Sequence, residues 1–175
     1  MKSTIKQAVL VLVASISVLS LTPASASAHS YDKHWSDEPN IVETAVGINQ
    51  QTGEFSTLIA AVSCTNLVNR LQNENREYTV FAPTDAAFAK LGLNADNICS
   101  SFDKRTLRNI LKYHIARCEY TAADVLATDS ITMLNYEEAP VSGATIAGQN
   151  IVKTDVKASN GIIHVIDGVM MPAAE

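Results

Sequence analysis

The 175-residue chain predicts an α+β domain, and three features of the sequence carry that prediction. Apolar residues recur at helical spacing in the first half, as in Phe55, Leu58, Ile59 and Val62 at i, i+3, i+4 and i+7. From Ser130 onward short β-rich runs take over, separated by Pro140, Gly143 and Gly148. Near the C-terminus, Asn160 to Pro172 (NGIIHVIDGVMMP) is an almost unbroken apolar run between a turn signal and a proline, the pattern of a strand buried on both faces. Helices first and strands later indicate α+β rather than alternating βαβ units.

Residues 1–28 read as a secretory signal peptide. Lys2 and Lys6 open it, Ala8 to Leu21 is an apolar run short for a bilayer span, and Ala26-Ser27-Ala28 is a small-residue cleavage site ahead of His29. Residues 29–39 are polar with isolated aromatics and predict a flexible arm. A cut before His29 would expose an amine and an imidazole that chelate copper if a further histidine joins them, although a plain tail without metal is the simpler expectation. Residues 40–173 then form one domain, because a mature chain of 147 residues suffices for one core and not for two. Cleavage removes two lysines and no acid, leaving 11 basic against 18 acidic side chains and a net charge of −7. That balance excludes binding nucleic acid or an anionic membrane by bulk charge. A secreted protein, periplasmic or extracellular, without stable membrane insertion after cleavage, is expected.

Along the domain, Asn40-Ile-Val-Glu43 has the form of a capping box that opens a helix ending at Gly47. Two helical segments follow, broken near Cys64 and resuming at Leu67, Val68 and Leu71. Tyr78 to Ala82 is a short strand stopped by Pro83, and Thr84 or Asp85 caps a helix that turns Phe88 and Leu91 inward before Gly92. Cys99 falls in a loop, after which Asp103 caps a helix with Leu107, Ile110, Leu111 and His114 on one stripe. Thr121 and Asp124 form a further capping box. Strands are predicted over Ile131 to Leu134, Ala144 to Ala147, Ile151 to Asp155 and Ile162 to Val169. His164 lies in the middle of the last, where an imidazole without partners is costly, so it and His114 are expected to be hydrogen-bonded inside the domain.

Three stretches in this order resemble the first box, the Tyr-His motif and the second box of a fasciclin (FAS1) domain. They are Thr79-Val-Phe81-Ala-Pro83-Thr84-Asp85-Ala-Ala-Phe88, then Tyr113-His114, then Asn160-Gly161-Ile-Ile-His164-Val-Ile-Asp167 with Pro172. The resemblance covers Ile41 to Pro172. It implies a wedge of two β-sheets with helices packed around it, the two boxes forming adjacent central strands. Many members place a Pro-Gly turn after the Tyr-His pair, where this chain has Ala116-Arg117-Cys118. In animal members the Tyr-His region, flanked by branched apolar residues, is implicated in integrin binding; Leu111, Tyr113, His114 and Ile115 match that pattern only loosely, the apolar ones fit core packing equally well, and that activity is not carried over.

Three cysteines in an exported chain leave one unpaired when a bridge forms. A Cys64 to Cys99 bridge is favoured because both sit at breaks between helical segments, with pairings through Cys118 left open. No Gly-x-Ser-x-Gly, His-Glu-x-x-His or phosphate-cradling loop occurs, and the cysteines lack zinc spacing, so no catalytic site, cofactor or metal is expected. The resemblance implies an exported adhesion or interaction module whose partner is an extracellular or cell-surface protein or polysaccharide. The alternative is a carrier of a small apolar ligand such as a carotenoid, held between the sheets with Met133, Met170 and Met171 in the lining.

Overall fold

The computed structural model describes residues 38–173. The expected signal peptide, most of the arm and His29, where copper chelation was weighed against a plain tail, lie outside the described residues.

Helix α1 (Ile41–Thr52) opens on the expected capping box: the Asn40 side chain accepts from the amides of Val42 and Glu43, and the Glu43 carboxylate accepts from the Asn40 amide at 3.1 Å. It runs through Gly47 and ends at Gly53, whose φ of 72° is the left-handed stop that Gly47 was expected to supply. A glycine inside a helix costs about 1 kcal/mol, and the capping box offsets a loss of that size. Helices α2 (Ser56–Cys64) and α3 (Val68–Leu71) follow, broken where expected. No side chain of its own caps α2; the Asp85 carboxylate does so, accepting from the Ser56 amide at 3.1 Å and the Thr57 amide at 2.8 Å. Strand β1 (Tyr78–Pro83) leads through the Thr84 cap into α4 (Asp85–Ala89). Phe88 is buried, whereas Leu91, expected to point inward, lies past the helix end and is 51% exposed.

Cys99 sits in a short helix α5 (Ile98–Ser101) rather than a loop, and its disulfide to Cys64 ties α5 to α2 across a Cα separation of 6.2 Å. Asp103 caps α6 (Lys104–Tyr113), then come β2 (Ile115–Arg117) and α7 (Ala122–Leu126) behind its Thr121/Asp124 capping box. The remaining strands are β3 (Ser130–Thr132), β4 (Glu138–Ser142), β5 (Thr145–Ile146), β6 (Gln149–Ala158) and β7 (Gly161–Ile166). Strand β4 was not predicted, because Pro140 reads as a separator. Pro140 is exposed, pairs opposite Ser130, and its carbonyl accepts from the Ala147 amide at 2.7 Å, so the missing donor breaks no ladder. Strand β7 ends at Ile166, six residues before Pro172, because the Asp167 carboxylate turns to the Asn150 amide and side chain.

The strands form one series in the order β2-β1-β7-β6-β5-β4-β3. The box strands β1 and β7 are adjacent and parallel, with Phe81 opposite His164, and the other pairs are antiparallel. Strand β6 belongs to both arms of the series, and its register slips between Ile151 and Lys153 and again before Val156, irregularities of the kind that bend a strand. The ends meet where Ala116 bridges Met133. The two sheets of the wedge are thus two arms of a single hydrogen-bonded series, folded toward each other.

This curl explains why β1 and β7 are buried on both faces. Alternation sends Val80, Ala82, Ile163 and Val165 toward a core filled by Phe55, Leu58, Leu71, Phe88, Leu107 and Leu111 of the helical layer. Phe81 and Ile166 point the other way, into a second core with Ile131, Met133, Ala139, Val141, Ile146 and Met170.

Candidate functional site

The box residues lie on and beside β1 and β7, and the Tyr-His pair lies at the end of α6. His164 is fully buried; its Nε2–H donates to the Tyr120 carbonyl at 2.8 Å, its Nδ1 accepts from the Asp155 amide at 3.3 Å, and its ring stacks on Phe81 with centroids 5.4 Å apart. These partners define a neutral tautomer and tie β7 to the segment after β2. His114, at the end of α6, donates from Nδ1 to the Ile110 carbonyl at 2.8 Å and accepts at Nε2 from the Met170 amide at 2.9 Å. Burial pushes its pKa down to about 4, against the Ile110 hydrogen bond that raises it. With both ring nitrogens of both histidines committed to backbone groups, neither presents a free base.

The other motif residues make cross-links of the same kind. Thr79 donates from its hydroxyl to the Cys118 carbonyl at 2.9 Å and accepts from the Tyr120 amide at 2.8 Å. Asn160 accepts from the Ile41 amide at 2.9 Å and donates to the Leu71 carbonyl at 2.6 Å, joining α1 and α3 to the β6–β7 turn. In that turn it is Gly161 alone that takes a positive φ, 143°, and a Cβ there would stand 1.8 Å from the Tyr78 carbonyl oxygen of β1. Tyr113 donates its hydroxyl to the Glu138 carbonyl at 3.3 Å; burial, then the Glu137 charge, hold that phenol above its ordinary value. Asp167 is held below the usual carboxylate range, chiefly by its hydrogen bond from the Asn150 side chain. Pro83 closes β1, and Pro172 lies in the segment beyond β7. After the Tyr-His pair, Cys118 adopts a φ of 74°, the region a glycine enters most easily. Its thiol is free and exposed.

Two concavities have distinct characters. One, between α1, α2 and β1, is lined only by apolar side chains and the edge of His114, and its volume of about 50 Å³ admits a few methyl groups. The space between the sheet arms, where the sequence placed a ligand cleft, is core: Met133 and Met170 are fully buried in it, and Met171 is half-exposed elsewhere. The other concavity is a groove of about 570 Å³ between α6 and Met171-Pro172-Ala173, lined by Arg105, Thr106, Arg108, Asn109 and Lys112 above an apolar floor. Sequence reasoning followed the apolar stripe of α6 and passed over this basic face, although four cations without an acid in ten residues are plain in the sequence. Among the described residues, no group of three or more histidines, cysteines and carboxylates could hold a metal, and no helix is long and apolar enough to cross a membrane.

An α+β domain with parallel central strands carrying the two boxes, and a buried Tyr-His pair between them, defines the class. The fasciclin domain model matches residues 53–172, and the chain belongs to that family. It is 37% identical over 139 residues to the Synechocystis protein sll1735, covering 76% of this chain and 98% of that one. It is 33% identical over 131 residues to the cell surface glycolipoprotein MPB83 of Mycobacterium bovis, covering 69% and 57% of the two chains. Among solved structures it resembles a FAS1 domain pair from the insect cell adhesion molecule fasciclin I, with a TM-score of 0.56 and 21% identity over 78% of this chain and 51% of that one, a likeness of fold. Helix α1 precedes the matched residues, yet Ile41 is buried in the same core.

Proposed function

We propose that the protein is an exported, non-catalytic interaction module that binds an extracellular or cell-surface protein or polysaccharide, with its domain spanning residues 40–173 and a signal peptide at 1–28. The observation that carries this reading is the use of the motif residues. Thr79, Asp85, His114, Asn160 and His164 spend their polar atoms on backbone groups of neighbouring elements, so recognition falls to the surface they hold in shape. The family's occurrence in a cell surface glycolipoprotein and a cell adhesion molecule supports the same reading. Isotope-labelled mature protein added to intact cells of its source should bind saturably and be displaced by unlabelled protein; linear, undisplaced uptake overturns the proposal.

Carriage of an apolar ligand is the weaker reading. The apolar pocket beside α1 is too small for one unless α1 lifts from α2. A visible absorption band in protein isolated from its source would reinstate it.

A further inference from the structure

Helix α6 carries Lys104, Arg105, Arg108 and Lys112 and no acidic residue, in a mature chain with a net charge of −7. Four of that chain's 11 cations therefore stand on one helix. Lys104, Arg108 and Lys112 follow at i, i+4 and i+8, a row about 12 Å long at 1.5 Å per residue. The helix cannot roll this row away, because Leu107, Ile110 and Leu111 are buried beneath it.

The groove beside the row is built on both sides. Its far wall, Met171-Pro172-Ala173, is held by the Met170 amide donating to His114 and the Ala173 amide donating to the Glu137 carboxylate at 3.0 Å. Arg105, Arg108, Lys112 and Asn109 line it together with Met171 and Pro172, while the hydroxyl of Thr106, also in the lining, is donated to the Asp103 carboxylate.

We infer that this groove binds an acidic polysaccharide bearing uronate carboxylates, an inference that rests on reading the chain as an exported interaction module. Arginine forks match carboxylates, the Asn109 amide matches sugar hydroxyls, and Met171 and Pro172 offer a surface for the C–H face of a pyranose ring. No aromatic side chain lines the groove to stack a nucleobase. A duplex with one charge per roughly 1.7 Å meets far stronger repulsion from the −7 chain than a polyuronate does, and so does a continuous anionic bilayer.

The test is titration calorimetry of the mature protein with alginate oligomers, alongside neutral dextran of matched length, a short DNA duplex and phosphatidylglycerol vesicles. Alginate should bind, and more weakly as salt rises. Arg105→Gln with Arg108→Gln should weaken it at least tenfold, while Lys153→Gln with Lys157→Gln, the same charge change on exposed positions of β6, should leave it within twofold. All four positions are exposed, and circular dichroism checks the fold. Absence of alginate binding, equal binding of dextran, tighter binding of DNA or vesicles, or an equal loss in the β6 variant would each overturn the inference. If alginate fails while the protein still binds its source cells saturably, this inference alone falls; if both fail, the reading beneath it falls as well.

Discussion

His114 is held neutral by its surroundings, which makes it a built-in probe of the seam between α6 and the segment after β7. Its Nδ1–H donates to Ile110 and its Nε2 accepts from Met170, an arrangement that a second ring proton would break. Its folded pKa is about 4 against 6.5 for the free side chain. The unfolded chain therefore takes up a proton that the folded chain refuses. This contribution is complete above pH 6.5 and is lost as the pH falls toward 4. At about 1.36 kcal/mol per pKa unit, the loss is about 1.4 kcal/mol by pH 5.5 and about 3 kcal/mol by pH 4, a large share of a stability on the order of 10 kcal/mol. Asp103, Asp124 and Asp167, all held below 3.8, stabilise the fold above that value and lose their effect only at lower pH, so the two windows separate. Urea denaturation across pH 4 to 7 measures the effect, with His114→Gln as the variant that cannot titrate. The wild-type advantage over the variant should shrink by about 3 kcal/mol from pH 7 to 4. Parallel stability curves, or a His114 NMR resonance that titrates near 6.5 in the folded protein, would refute the reasoning.

Other perturbations test separate parts of the account. The Cys64–Cys99 disulfide spans a sequence separation of 35, for which loop entropy gives about 4 kcal/mol; reduction should lower Tm by on the order of 10 °C in calorimetry, and an unchanged melt would exclude the bridge. Gly161→Ala should abolish cooperative folding in circular dichroism, because the new Cβ collides with the Tyr78 carbonyl and alanine resists the positive φ; a cooperative melt near wild type would show that β1 and β7 are less closely apposed. Mass spectrometry of protein recovered from its source should give a chain starting at His29 and two hydrogens light; a mass that retains residues 1–28 contradicts export by cleavage.

What sequence reasoning recovered and what it missed divide by range. Capping boxes at Asn40 and Thr121, and the cap at Asp103, are local patterns and stand where they were read. Burial of β1 and β7 was visible as apolar runs, and the family resemblance placed them side by side. The misses depend on distant groups. Gly47 ends no helix because the left-handed stop is available at Gly53, and β4 keeps Pro140 because only its carbonyl is needed there. Asp85 looks like the start of its own helix, yet its carboxylate caps α2, whose Ser56 and Thr57 amides lie 29 and 28 residues upstream. The basic groove needs α6 and the residues beyond β7 to be brought together, which no periodicity in either segment reveals.

On the proposed function the motif residues hold the domain together while its surface binds, and His164 separates the two roles most sharply. His164→Ala strands the Tyr120 carbonyl and the Asp155 amide and opens space against Phe81, at a cost of about 1 to 3 kcal/mol. The decisive measurement is stability and source-cell binding on the same His164→Ala protein, below its melting temperature. The expected result is a lowered urea midpoint with an unchanged binding isotherm per folded molecule. An unchanged midpoint with binding lost would contradict it, and would move the site to the seam itself.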